Sequence, residues 1–185
     1  LEKEFGSERA VFTHCDTTSY ASQLSLFKTA IQKWGRIDIA VANAGISLPA
    51  DPFSADADIE KEFSTAEIDV NLKGPLITSR IGLHFLRKNG REGGDLILVS
   101  SIAGWKECTG LVAYTASKHG VLGIMRGLHL SAVKEGVRIN VICPWMTSLY
   151  SPFLFLEFPT SPPLFEKQSC VFFESDGKGR TWELK

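Results

Sequence analysis

Three things are scarce in this chain, and each absence removes a class of function. Its four cysteines, Cys15, Cys108, Cys143 and Cys170, form no CxxC pair and no Cys/His cluster. That argues against a zinc site or a disulfide scaffold and fits a reducing cytoplasm. Charge of one sign is missing too: 20 Lys and Arg are interspersed with 21 Asp and Glu, for a net charge of −1. There is no basic footprint for nucleic acid and no patch for an anionic membrane surface. Long apolar runs are absent: "SPFLFLEF" (151–158) falls far short of the roughly 20 residues that span a bilayer, and no signal peptide opens the chain. A small molecule is the expected partner. The first residue is Leu1, set in "LEKEFGSERA", which reads as the end of a charged helix, so an upstream segment is expected to be missing.

What is present is a regular alternation. The 185 residues are enough for one domain with its own core. "AVFTHCD" predicts a first strand over residues 10–15. "TTSYASQLSLFKTAIQKWG" places Leu24, Phe27, Ile31 and Trp34 at helical spacing and ends on Gly35. "IDIAVANAG" is the nearly continuous apolar run of a buried parallel strand. Residues 59–88 carry a helical period with a kink expected at Pro75. "DLILVSS" is the next strand, 112–135 the next helix, and "VRINVICP" the strand after it. Such alternation implies βαβ crossovers, hence an α/β fold with a parallel sheet between helical layers. Beyond Pro144 the period stops in a proline-rich stretch, and "SCVFFES" predicts one last strand.

Tyr114 and Lys118 stand four apart on a predicted helix, so their side chains share a face. Taking a proton from an alcohol near neutral pH asks a tyrosine to drop about three units from its usual value near 10, about 4 kcal/mol. One ammonium at about 4 Å supplies roughly that much at an effective dielectric near 20. Taken alone, the pair is weak evidence, and a packed tyrosine with a solvated lysine is the more ordinary reading. Ser101 ends the preceding strand, where parallel sheets hold their ligands. Either Ser100 or Ser101 could face that crevice.

Five motifs occur in order: "NAG" (43–45), "VNLKG" (70–74), "LILVSSIAG" (96–104), "YTASK" (114–118) and "VRINVICP" (137–144). In order and spacing they resemble the short-chain dehydrogenase/reductase family, in particular its NAD-dependent 15-hydroxyprostaglandin dehydrogenase-like branch and fungal relatives. The resemblance covers residues 8–147 and implies a Rossmann-like, doubly wound parallel sheet that here lacks its first two strands. It also implies interconversion of a secondary alcohol and a ketone by hydride transfer with NAD or NADP, NAD being favoured. Tyr114 would be the general acid/base and Ser101 would hydrogen-bond the substrate oxygen, since the thirteen-residue step to Tyr114 matches the family. Lys118 would hold the nicotinamide ribose and activate Tyr114, and Asn71 would position a relay water. Asn43, Ala44 and Gly45 would line the cofactor. Asp16 would face the adenine, unless it merely caps a helix. His119 points about 100° away from Lys118 and reads as surface or packing. Gly120, Gly123 and Gly127 suggest close helix contact, and the resemblance implies a homodimer or homotetramer through the helices at 66–88 and 112–135.

The chain also departs from the family. No TGxxxGxG turn precedes the first predicted helix, and the strand that discriminates NAD from NADP is not here. With strand order 3-2-1-4-5-6-7, two missing strands would leave a gap of roughly 14 Å at about 4.8 Å per strand. Either this is a fragment of a longer enzyme, or the flanking strands close up and the site is lost. Pro144-Trp145 replaces the usual Pro-Gly. The expected organisation is therefore a partial dinucleotide-binding domain over 1–147 and an atypical segment over 148–185. The rival expectation is a non-catalytic remnant that associates through its helices and binds no dinucleotide. An epimerase or dehydratase relative is the weaker third, because no additional acid/base group is indicated.

Overall fold

A computed structural model describes residues 10–49 and 51–145. The strand predicted at "SCVFFES" (169–175), with the rest of the segment over 148–185, lies outside the described residues. Helix α1 (Tyr20–Trp34) starts where Ser19 Oγ accepts the Ser22 amide and stops at Gly35, whose φ of 80° is a conformation that favours glycine. Strand β1 (Ile39–Ala42) follows. After a long loop come a single α-turn, α2 (Ala66–Ile68), a π-helical turn (Asp69–Lys73) and α3 (Gly74–Leu86). A 3-10 turn (Arg87–Glu92) leads to β2 (Gly94–Val99). A short 3-10 turn (Ile102–Gly104), α4 (Val112–Lys134) and β3 (Val137–Ile142) complete the order.

The sheet is parallel with order β1-β2-β3, in the registers Ala40 with Leu96 and Leu96 with Ile139. Both crossovers advance the same way, so the right-handed rule puts α3 and α4 on one face. Burial shows that face directly. Ala40, Ala42, Leu96, Leu98, Val137 and Ile139 are buried, while the alternate residues are half-buried or exposed. Phe27 of α1 stacks on Phe85 of α3, with ring centroids 5.8 Å apart, and completes the helical layer. Gly82 lets α3 sit close: a methyl there would already touch Ala40, Leu96 and Phe27 at 3.5–3.7 Å.

Two expectations are corrected. Residues 10–16 are not a strand, and the three-stranded sheet does not include them. They pack instead on α1, where Val11 and Thr13 line a small cleft with Leu26, Ala30 and Trp34. Strand propensity without a neighbouring strand forms no ladder. The flanking strands have therefore not closed up into one sheet. The helix expected from residue 59 begins only at Ala66: residues 59–61 form a turn and a bend, and 62–65 are irregular. The kink expected at Pro75 takes the form of the π-turn before it: the ring has no N–H to offer Asn71 O, and Gly74 N reaches back to Asp69 O.

Candidate active site

Tyr114 lies in the first turn of α4, half-buried, and Lys118 lies one turn on, only 4 % exposed. The Lys118 ammonium sits 5.6 Å from the centre of the Tyr114 ring and donates to Val99 O at 3.1 Å, which ties it to the end of β2. Burial pushes the Lys118 pKa below the ordinary lysine range, and the nearby Cys143 sulfur pulls partly the other way. Gly45 stands directly opposite. A methyl at that position would come within 3.2 Å of Lys118 Nζ and 3.3 Å of Asn71 Oδ1.

Asn71 is fully buried in the π-turn, and its side chain is spent on structure. Oδ1 accepts the Ile46 amide at 2.7 Å, and Nδ2 donates to Ile46 O at 2.8 Å and to Ser117 Oγ at 3.2 Å. Ser117 in turn donates to Tyr114 O at 2.6 Å. Four of the sequence-predicted residues, Gly45, Asn71, Tyr114 and Lys118, thus meet at the carboxyl ends of β1 and β2.

The two serines divide their tasks. Ser100 is buried and donates to Lys118 O at 2.7 Å. Ser101, in extended conformation after β2, accepts the Ala103 amide at 3.2 Å. That arrangement leaves the Ser101 proton for another acceptor. Asn43 is exposed and Ala44 half-buried, the latter facing Thr17, Val70 and Gly74 across a shallow cleft. Asp16 Oδ1 accepts from the Thr18 amide and hydroxyl at 3.0 and 2.8 Å, in the turn that leads into α1. His119 is exposed, with Nδ1 3.0 Å from Thr115 O. Beyond Ser101, Trp105 donates to Cys143 Sγ at 3.2 Å, with Arg126 5.2 Å over its ring.

Sequence reasoning missed Ser117, Ser100's contact with α4, and Glu67. Glu67 is buried and accepts the Leu48 amide at 2.8 Å. Its signal was an acid four residues before Asn71, on the same side of a helix that otherwise buries apolar groups. Among the described residues no cluster of His, Cys, Asp or Glu could hold a metal ion.

The family model described as short chain dehydrogenase matches residues 1–151. The short-chain dehydrogenase/reductase ascJ of Acremonium egyptiacum is 39% identical over 156 residues, covering 79% of this chain and 52% of that protein. The 15-hydroxyprostaglandin dehydrogenase [NAD(+)] of Rattus norvegicus is 34% identical over 147 residues, covering 78% of this chain and 51% of its own length. Among solved structures, ElxO with NADP bound aligns with a TM-score of 0.62 at 26% identity, over 72% of this chain and 52% of that one. A short chain dehydrogenase from Mycobacterium smegmatis gives 0.61 at 28%, over 70% and 52%. The chain spans about half the length of the curated relatives it matches.

Proposed function

The chain belongs to the short-chain dehydrogenase/reductase family, and from that premise we propose that it carries the proton-handling half of an oxidoreductase that interconverts a secondary alcohol and a ketone with NAD or NADP. The observation that carries the reading is the buried Lys118 ammonium held between the Tyr114 ring, Val99 O and Gly45. A buried cation costs several kcal/mol of desolvation, and an ordinary packing position has no use for one.

The residues present fit the nicotinamide and ribose end of such a dinucleotide. Gly45 leaves open the space that a side chain would take, and Lys118 has two N–H groups beyond the one given to Val99 O. When bound, the dinucleotide supplies the hydride acceptor or donor. Tyr114 Oη takes the alcohol proton in oxidation and returns it in reduction. Ser101 Oγ, its lone pair engaged by Ala103 N–H, donates its own proton to the substrate oxygen and fixes it beside Tyr114. Lys118 orients the ribose hydroxyls. The Asn71 side chain is engaged with Ile46 and Ser117, so a relay water would rest on its backbone carbonyl, to which Pro75 has no N–H to offer.

The same reading extends to the setting. The substrate is a small alcohol or ketone, the assembly a homodimer or homotetramer, and the location cytoplasmic. No helix among the described residues is long and apolar enough to cross a membrane, and Cys15, Cys108 and Cys143 are free thiols. The test is alcohol-dependent NAD⁺ or NADP⁺ reduction by the protein extended upstream, comparing wild type with Tyr114→Phe. The mutant is expected to lose at least about 100-fold in kcat; a retained rate removes Tyr114 from the mechanism. Calorimetric titration of the 185-residue chain with NAD(H) and NADP(H) separates this reading from a remnant that binds no dinucleotide.

A further inference from the structure

We propose that Glu67 is a positioning residue for the dinucleotide side of this site, acting through the loop that follows β1; the inference rests on the reading of that site given above. Glu67 is 6 % exposed, and no ion pair among the described residues includes it. A buried carboxylate without a cation is costly, so a compensating hydrogen bond is expected. It is found in the loop: Oε1 accepts Leu48 N–H at 2.8 Å.

Four residues on, Asn71 accepts Ile46 N–H and donates to Ile46 O. The two side chains together hold three backbone groups within residues 46–48. Among its described residues the connection from Ala42 to Ala66 contains no helix or strand, so these three bonds help set where its first part lies. Gly45 is the next residue toward β1, and a methyl there would come within 3.2 Å of Lys118 Nζ, so that one of the two would have to give by a few tenths of an ångström. A slide of a few tenths of an ångström along the helix would therefore be felt at Lys118. Asn71 alone leaves Leu48 N–H without its acceptor and the loop hinged at Ile46. Glu67 supplies the second point, and two points fix an orientation where one fixes only a position.

The test compares wild type, Glu67→Gln and Glu67→Ala in the protein extended upstream. Gln keeps the Oε1 acceptor; Ala removes it. Hydrogen exchange of the peptide spanning residues 44–49, measured without dinucleotide, should speed up about tenfold in E67A and stay near wild type in E67Q. In turnover, E67A should raise the dinucleotide KM about tenfold with kcat within about twofold, and E67Q should restore it. A merely structural role would lower thermal stability and the active fraction and leave KM unmoved. E67A with wild-type exchange and wild-type KM overturns the proposal. Loss of the E67Q protein's protection together with that of E67A also overturns it, since the acceptor would then not be what matters. If wild type binds neither NAD(H) nor NADP(H), the dinucleotide reading fails, and the exchange data still decide whether Glu67 holds the loop.

Discussion

Replacing Lys118 with methionine is expected to remove activity while making the fold more stable near neutral pH, by a margin that narrows in alkali. The side chain is 4 % exposed, and burial holds its pKa below the ordinary value of 10.5. The unfolded chain keeps this proton up to about pH 10.5, whereas the folded protein releases it earlier. Between the two values the unfolded state binds more protons, so stability rises with pH, by at most about 1.4 kcal/mol per unit. Below the folded value both states are protonated and the whole burial penalty stands. Methionine is of similar length and carries no charge. It forfeits the bond to Val99 O, about 1.5–3 kcal/mol for a charged donor, and the contact with the Tyr114 ring, about 0.5–2 kcal/mol. Against these stands a desolvation penalty of several kcal/mol. The net is a gain of about 1 kcal/mol, or about 2–4 °C in Tm for a chain of this size. Urea unfolding followed by tryptophan fluorescence, at intervals from about pH 7 to about pH 10, reads both effects. The advantage of the mutant should be constant at the lower pH values and shrink once pH passes the folded pKa of Lys118. A gap that stays constant with pH, or a mutant less stable than wild type throughout, refutes the reasoning.

Other outcomes follow from the space around individual glycines. Gly45→Ala places a methyl 3.2 Å from Lys118 Nζ and 3.3 Å from Asn71 Oδ1, so calorimetry should show dinucleotide binding about tenfold weaker with little change in Tm. Unchanged affinity would mean that Gly45 does not face the ligand. Gly120→Ala would put a methyl 2.6 Å from Leu72 Cδ1 and should cost about 1–3 kcal/mol in thermal denaturation. Gly123→Ala and Gly127→Ala meet nothing within 4 Å and should each add about 0.5–1 kcal/mol. Equal effects at all three positions would contradict this helix packing. Loss of self-association in either of the latter two, measured by size-exclusion chromatography with the fold retained, would support assembly through α4.

The sequence made the strands and helices legible where apolar period and stop signals agreed. Ser19 and Gly35 bracket α1, and "DLILV" and "VRINVI" sit in the sheet in register. It misled where a local preference needed a distant partner. Residues 10–16 have strand composition, yet a ladder needs a neighbour. The continuous apolar run at "IDIAVA" read as covered on both faces, whereas in the described residues burial alternates along β1. At the site, the spacing of Tyr114 and Lys118 was readable because one helix carries both. The residues alone left Ser100 and Ser101 open, and only the family's thirteen-residue step to Tyr114 favoured Ser101; the physical distinction is which hydroxyl α4 captures, and Lys118 O captures that of Ser100. Glu67 escaped because an acid near a helix start is ordinarily a solvated one. The close crossing of Gly93, with φ of 56°, over the Gly136 carbonyl was equally silent, since it joins two turns far apart in the chain.

The π-turn at Asp69–Lys73 makes the residue count of this helix a determinant in its own right. One surplus residue is stored there. Deleting a residue within the π-turn would let the helix relax to an even α-helical winding with its flanks in their present relation but without the turn that presents Asn71, whereas a deletion elsewhere between Ala66 and Leu86 would rotate the residues lying between it and the π-turn by about 100°. Asn71 would then turn away from Ile46, or the buried face of α3 would turn away from the sheet. Substitution can be tolerated position by position along this segment, but its length admits no such latitude. A chain that aligns here only with a gap should be expected to have surrendered either its loop anchor or its packing.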